Sequence, residues 1–99
     1  MSKFRSPRKL GRRDANEREI IDALESCACD VVQLNWPGDL LVGRGGRNYI
    51  LEVKDGDKVP SAQKLTELEE VFHRNWRGQG AIVRTADEAL EAVGLIKRG

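Results

Sequence analysis

Asp39, Glu52 and Lys54 are the residues of this 99-residue chain whose types and spacing could do chemistry. They lie in PGDLLVGRGGRNYILEVKDG, residues 37–56, which reads as two strands of about 39–43 and 48–54 joined through Arg44-Gly45-Gly46-Arg47. A Gly-Gly pair suits a two-residue hairpin turn, whose central positions need positive φ. About that turn Asp39 falls opposite Glu52, Leu41 opposite Ile50 and Gly43 opposite Asn48. Alternation puts Lys54 on the face of Glu52, and Leu40, Val42, Tyr49, Leu51 and Val53 on the other. Both faces carry apolar residues, so both are expected to be covered. Cross-strand Cβ atoms stand about 4.5–5.5 Å apart, and like charges there destabilise a sheet. Protonation of one acid, partial neutralisation by Lys54, or a divalent cation between the two would relieve the repulsion. A hard ion such as Mg²⁺, which takes one or two carboxylates and keeps several waters, suits such a pair. The competing arrangement is a solvated strand end with an ordinary Lys-Glu pair.

The elements that must position these residues follow from capping signals and periodicity. Asp14-Ala15-Asn16-Glu17 matches a loose capping box, with Asp14 as N-cap, ahead of a helix over about 15–27. Ile20, Ile21 and Leu24 form its apolar arc, with Ala28 continuing it. At about 100° per residue Glu17 falls inside that arc and Glu19 on the opposite side. A third acid therefore points towards the sheet, unless the capping box uses it. Val31-Val32-Gln33-Leu34-Asn35 suggests a first strand closed by Trp36-Pro37-Gly38. After the hairpin, residues 55–60 form a loop, and Ser61 is the expected N-cap of a helix over about 62–76. Leu65, Leu68, Val71, Phe72 and Trp76 recur in it as a core stripe. Glu67, Glu69 and Glu70 read as its solvated face, and His73 as a surface or boundary residue beside the stripe. Ala81-Ile82-Val83-Arg84 is a short buried strand, and Thr85 caps a last helix of about 86–93 that ends at Gly94.

Length supports one small domain, 14–99, preceded by a basic and flexible arm, 1–13. The arm holds Lys3, Arg5, Arg8, Lys9, Arg12 and Arg13 and no acid; subtracting these six from the net charge of +1 leaves −5 on the rest of the chain. A basic arm on an acidic body suits a polyanion partner if bound metal neutralises the acids; a solubilising tail explains it equally. No apolar run approaches the roughly 18–20 residues of a membrane span. The amino terminus lacks the apolar segment of a secretory signal, so a cytoplasmic protein without a membrane partner is expected. Cys27 and Cys29 have no second pair or histidine at zinc-like spacing, and read as reduced structural cysteines.

Asp39 followed by Glu52-Val53-Lys54 after a hairpin, an upstream helix with an inward Glu, and a downstream helix then strand together resemble the PD-(D/E)xK nuclease superfamily. The resemblance covers residues 14–94 and is nearest the small phage and bacterial nucleases of the VRR-NUC branch, whose layout is related to Holliday-junction resolvases. It implies an α/β fold with a restriction-endonuclease-like α-β-β-β-α-β core, a mixed sheet flanked by helices. It also implies Mg²⁺- or Mn²⁺-dependent hydrolysis of phosphodiester bonds in DNA, at branched structures such as junctions or flaps. Metal-binding acids fall on Asp39 and Glu52, with the Val53 carbonyl as a further ligand, and the family lysine falls on Lys54. The helix-one acid falls on Glu17 or Glu19, of which helix geometry selects Glu17; a glutamine at the start of the next helix falls on Gln63. With a phosphate substrate, the six basic residues of the arm become DNA contacts that position the backbone without reading sequence. Gly38 separates Pro37 from the acid, where the pattern has the two adjacent. The expected working form is a homodimer, because a monomer this small offers little surface to branched DNA. Two other classes compete: a DNA-binding module on the same fold that does not cut, and a small interaction protein whose charges only keep it soluble.

Overall fold

The computed structural model describes residues 15–96, so Asp14 and the basic arm, with every DNA contact expected on it, lie outside the described residues. Helix α1 spans Glu17–Ser26 and begins two residues later than expected, with Asn16 as an N-cap whose side chain makes no capping bond. Ile20, Ile21 and Leu24 are buried as the helical arc requires. The helix closes on a left-handed residue, Ala28 at φ 65°. The Cys29 amide donates to Leu24 O at 3.1 Å and the Ala28 amide to Glu25 O at 3.2 Å. This is the Schellman pattern, with alanine in the position glycine usually takes.

Strand β1 (Asp30–Gln33) leads into the hairpin of β2 (Leu40–Arg44) and β3 (Arg47–Val53). Leu41 pairs with Ile50 and Gly43 with Asn48, and Gly45 and Gly46 take φ 58° and 80°, as the expected turn demands. β4 (Gln79–Val83) joins β3 in parallel, completing a mixed four-stranded sheet in the order β1-β2-β3-β4. A parallel neighbour needs a crossover. Here it consists of the one-turn helix α2 (Pro60–Gln63) and α3 (Glu67–Asn75). Helix α4 (Ala86–Ala92) follows, and the Thr85 hydroxyl accepts from the Glu88 amide at its start. Arg44 Nη1 donates to Val93 O at 2.9 Å at its end, where the helix dipole favours a cation.

The two faces of the sheet are unequal. Val31, Leu40, Val42, Tyr49, Leu51, Val53 and Val83 share one face and form a closed core with Ile20, Leu24, Ala89 and Val93 of α1 and α4. The opposite face carries Val32, Leu41, Ile50 and Ile82, all half-buried. A single helix over 62–76 is not what covers it. Val59, not Ser61, is the N-cap of α2; Lys64 turns extended at ψ 148°, and Thr66 starts α3 with a full capping box to Glu69. The expected core stripe is corrected with it: no residue of α3 is buried, and Leu68 is 70% and Trp76 46% exposed. The contacts that α3 makes with the end of β3 run instead through Glu69 to Lys54 and His73 to Glu52, which leaves Leu68 and Val71 exposed.

Candidate active site

Asp39 sits where the chain enters β2. Its amide donates to Leu51 O at 2.8 Å and its carbonyl accepts from the Leu34 amide at 2.7 Å, which ties its backbone to the strands on both sides. The ladder ends at the Leu40–Leu51 pair; the Asp39 amide bonds to Leu51 O just beyond it, and the Asp39 and Glu52 side chains meet there. Gly38 explains the departure from an adjacent Pro-Asp. At φ +68° a Cβ there would stand 2.6 Å from Ile50 Cγ2 and 3.1 Å from Leu51 O, so only glycine lets the loop lie against β3. Asp39 Oδ2 accepts from the Val53 amide at 2.7 Å. That bond fixes the carboxylate against the end of β3.

Glu52 is 3% exposed and hydrogen-bonded to Asp39 through their side chains. Burial first, then the Asp39 contact and the charges of Asp39 and Glu69, push its carboxyl up to about 9. It therefore holds a proton at neutral pH. The other side of Glu52 meets His73, with Nε2 at 3.3 Å from Oε1. His73 is lowered, chiefly by burial, with the Glu69 and Asp39 charges opposing and Lys54 assisting. A protonated Glu52 and a neutral His73 make this contact a hydrogen bond between uncharged groups, not an ion pair.

Lys54 Nζ lies 3.0 Å from Glu69 Oε1, and both side chains are largely buried. Glu69 also accepts from the Thr66 amide at 2.8 Å. Burial would raise the Glu69 carboxyl, but the Thr66 bond, Lys54 and Glu52 outweigh it and leave it lowered. The pairing has a geometric cause. Residues two apart on a strand are about 6.7 Å apart and residues four apart on a helix about 6 Å, so Glu52 and Lys54 match His73 and Glu69 when α3 runs against β3. Glu69 is thus not part of a solvated face, and His73 is not merely a boundary residue. Their i, i+4 spacing and the Thr66-Glu67-Leu68-Glu69 capping box were the available signals. Glu67 and Glu70 are exposed as expected.

Other expected site residues lie elsewhere. Glu17 is 3% exposed and Glu19 is exposed, so the inward acid is Glu17. Its Oε2 accepts from Gln33 Nε2 at 2.9 Å. Gln33 pairs with Leu40 and shares the closed face, opposite the one bearing Glu52. Gln63 is held by its loop: Nε2 donates to Lys58 O at 2.6 Å and Gly56 O at 3.3 Å, and Oε1 accepts from Arg84 Nε at 3.0 Å. Asn16 has a role that reading the helix start as a capping box hides. Its Nδ2 donates to Lys54 O at 3.0 Å and Arg84 O at 2.7 Å, clasping the ends of β3 and β4 to α1. Cys29 is buried and Cys27 exposed, and both are free. Among the described residues no helix is long and apolar enough to cross a membrane.

Among the described residues no three His, Cys, Asp or Glu side chains are placed as a ready metal cage. The Asp39–Glu52 pair nevertheless suits Mg²⁺ or Mn²⁺. A buried and a half-buried hard carboxylate meet, the raised Glu52 holds a proton beside Asp39, and a divalent cation would take that proton's place. Comparisons with protein-family models, curated proteins and solved structures return no match.

Proposed function

We propose that this chain is a metal-dependent, structure-selective DNA endonuclease of the PD-(D/E)xK type, on a restriction-endonuclease-like fold, working as a homodimer on branched DNA. The observation that carries the reading is the meeting of Asp39 and Glu52 at one end of a hairpin with Lys54 two residues on and on the same side. A binding-only protein gains nothing from two facing acids beside a polyanion.

Asp39 and Glu52 would hold Mg²⁺ or Mn²⁺, with the Val53 carbonyl beside them. A bound ion of this kind supplies a more acidic water and stabilises charge on the phosphate and the leaving oxygen. The chain's own residues do the remainder. Val53 N–H keeps Asp39 aimed, and His73 keeps Glu52 aimed. Lys54, released from Glu69 by an incoming phosphate, places its ammonium against the scissile group, where it orients the attacking water or neutralises developing charge. Hydrolysis adds the water oxygen to phosphorus, breaks the bond to the leaving sugar oxygen and delivers a proton to that oxygen. Glu17 and Gln63 act through position: Glu17 sets α1 on β1, and Gln63 holds the loop after β3.

The test is cleavage of labelled four-way junction, flap, single-stranded and duplex DNA with Mg²⁺, Mn²⁺ or EDTA. Lys54→Ala is expected to lower the metal-dependent cleavage rate by 10²-fold or more while DNA binding persists. Binding by the parent chain without cutting under every metal condition refutes the reading. That result would favour a DNA-binding module, a reading that the closed Lys54–Glu69 pair also supports.

A further inference from the structure

Both tryptophans of the chain stand beside Phe72 of α3, although the apolar spacing through that helix placed one of them, Trp76, in the core. Trp36 is 53% and Trp76 46% exposed. They flank Phe72. The Trp36 and Phe72 rings meet edge to face at 5.9 Å, and Phe72 and Trp76 stack at 5.4 Å with 23° between planes. Trp76 is fixed in place despite its exposure. Its Nε1–H donates to Gln79 O at 3.1 Å, and a Cβ on Gly78 would stand 2.6 Å from its six-membered ring. Gly78 is therefore the seat of the indole, and Gly80, whose Cβ would lie 3.4 Å from Cδ1, lines the same seat. A large apolar ring anchored this firmly yet left half open has lost its rotamer entropy in advance, which favours a flat ligand.

The row is continuous with the acid pair. Phe72 packs edge-on to His73 at 5.1 Å, and His73 touches Glu52 at 3.3 Å. Exposed Arg74 and Arg77 bracket Trp76 in the sequence and supply cations for a backbone that passes it. Aromatic rings beside cations are the means by which proteins hold unpaired bases without reading sequence, each base being worth on the order of tenfold in affinity. Resting on the nuclease reading for the phosphate itself, we infer that Trp36, Phe72 and Trp76 form a stacking platform for unpaired bases next to the scissile phosphate. Paired bases are closed to such a platform, since their faces are stacked within the duplex. The platform thus selects strands that are single or splayed at the cut.

Trp36 and Trp76 are the only tryptophans, so intrinsic fluorescence reads the platform directly. The full chain is titrated in EDTA, where nothing is cut, with oligothymidine and with blunt duplex of equal length. Oligothymidine is expected to quench the emission and duplex to leave it nearly unchanged. Trp76→Ala and Trp36→Ala are each expected to weaken oligothymidine binding by on the order of tenfold, and Trp76→Phe by less. Equal quenching by duplex, unchanged affinity in both alanine variants, or no quenching overturns the inference. So does light scattering that shows a dimer of the parent split to monomers by Trp36→Ala, which would assign the patch to a second copy. Quenching without cleavage in Mg²⁺ keeps the platform and removes the nuclease; cleavage without quenching does the reverse.

Discussion

Replacing Glu52 by glutamine should stabilise the metal-free protein, increasingly so as pH rises. The Glu52 carboxyl is raised from 4.5 to about 9 by burial, by Asp39 and by Glu69. Between those values the folded chain holds a proton that the unfolded chain has released, so stability is full below about 4.5 and declines as pH climbs towards 9. From 4.5 to neutral pH is about 2.5 units at roughly 1.36 kcal/mol each, or about 3 kcal/mol. Glutamine keeps the shape, donates to Asp39 and accepts from His73 without titrating. The gap between Glu52→Gln and the parent should therefore widen by about 3 kcal/mol from pH 4.5 to 7, or about 10–20 °C in Tm for a domain of this size. The same pocket contains His73, Glu69, Asp39 and Lys54. His73, lowered below 6.5, loses stability in the opposite direction, as pH falls, and largely cancels when the two proteins are compared at each pH. Urea unfolding in EDTA at half-unit steps measures the gap. A gap that stays constant between pH 5 and 8 would refute the shared-proton account of the acid pair. Saturating Mg²⁺ at pH 8 should raise the parent's Tm, with about 2.7 kcal/mol at a hundred times Kd, and leave Glu52→Gln nearly unmoved.

Two further substitutions test how the frame is held. Ala28→Gly should stabilise by roughly 0.5–1 kcal/mol, because alanine at φ 65° carries a left-handed penalty that exceeds the entropy glycine adds to the unfolded chain; chemical denaturation at pH 7 reads it directly. Asn16→Ala should cost about 2 kcal/mol by stripping Lys54 O and Arg84 O of their shared donor. Hydrogen exchange at the facing ends of β3 and β4 should rise in that variant.

What the sequence made legible follows from where local rules and tertiary demands coincide. The hairpin register could be read because Gly45-Gly46 specifies its turn and period-two alternation specifies its faces. Glu17 could be placed because helix geometry separates it from Glu19 by a wide angle. The α3 stripe misled because 3.6-residue periodicity reports amphipathicity and not what lies opposite it. Leu68, Val71 and Trp76 have the spacing of core residues, yet α3 contacts the end of β3 through Glu69 and His73 and leaves those three exposed. Glu69 and His73 were missed because their partners, Lys54 and Glu52, are brought to them only by the crossover. The break at Lys64 was legible in the Thr66 capping box, but the apolar spacing through Leu65 and Leu68 masked it.

The unequal faces of the sheet give β3 two masters. Leu51 and Val53 look into the closed core, whereas Ile50 and Glu52, their immediate neighbours, look out towards α3. Tolerance to substitution should accordingly oscillate along this one strand with a period of two. One set of positions answers to whether the chain survives in the cell, the other to what it does there. Selection could then redraw the outer surface, exchanging aromatics and charges for a new substrate, while every change stayed one residue away from a position that holds the protein together.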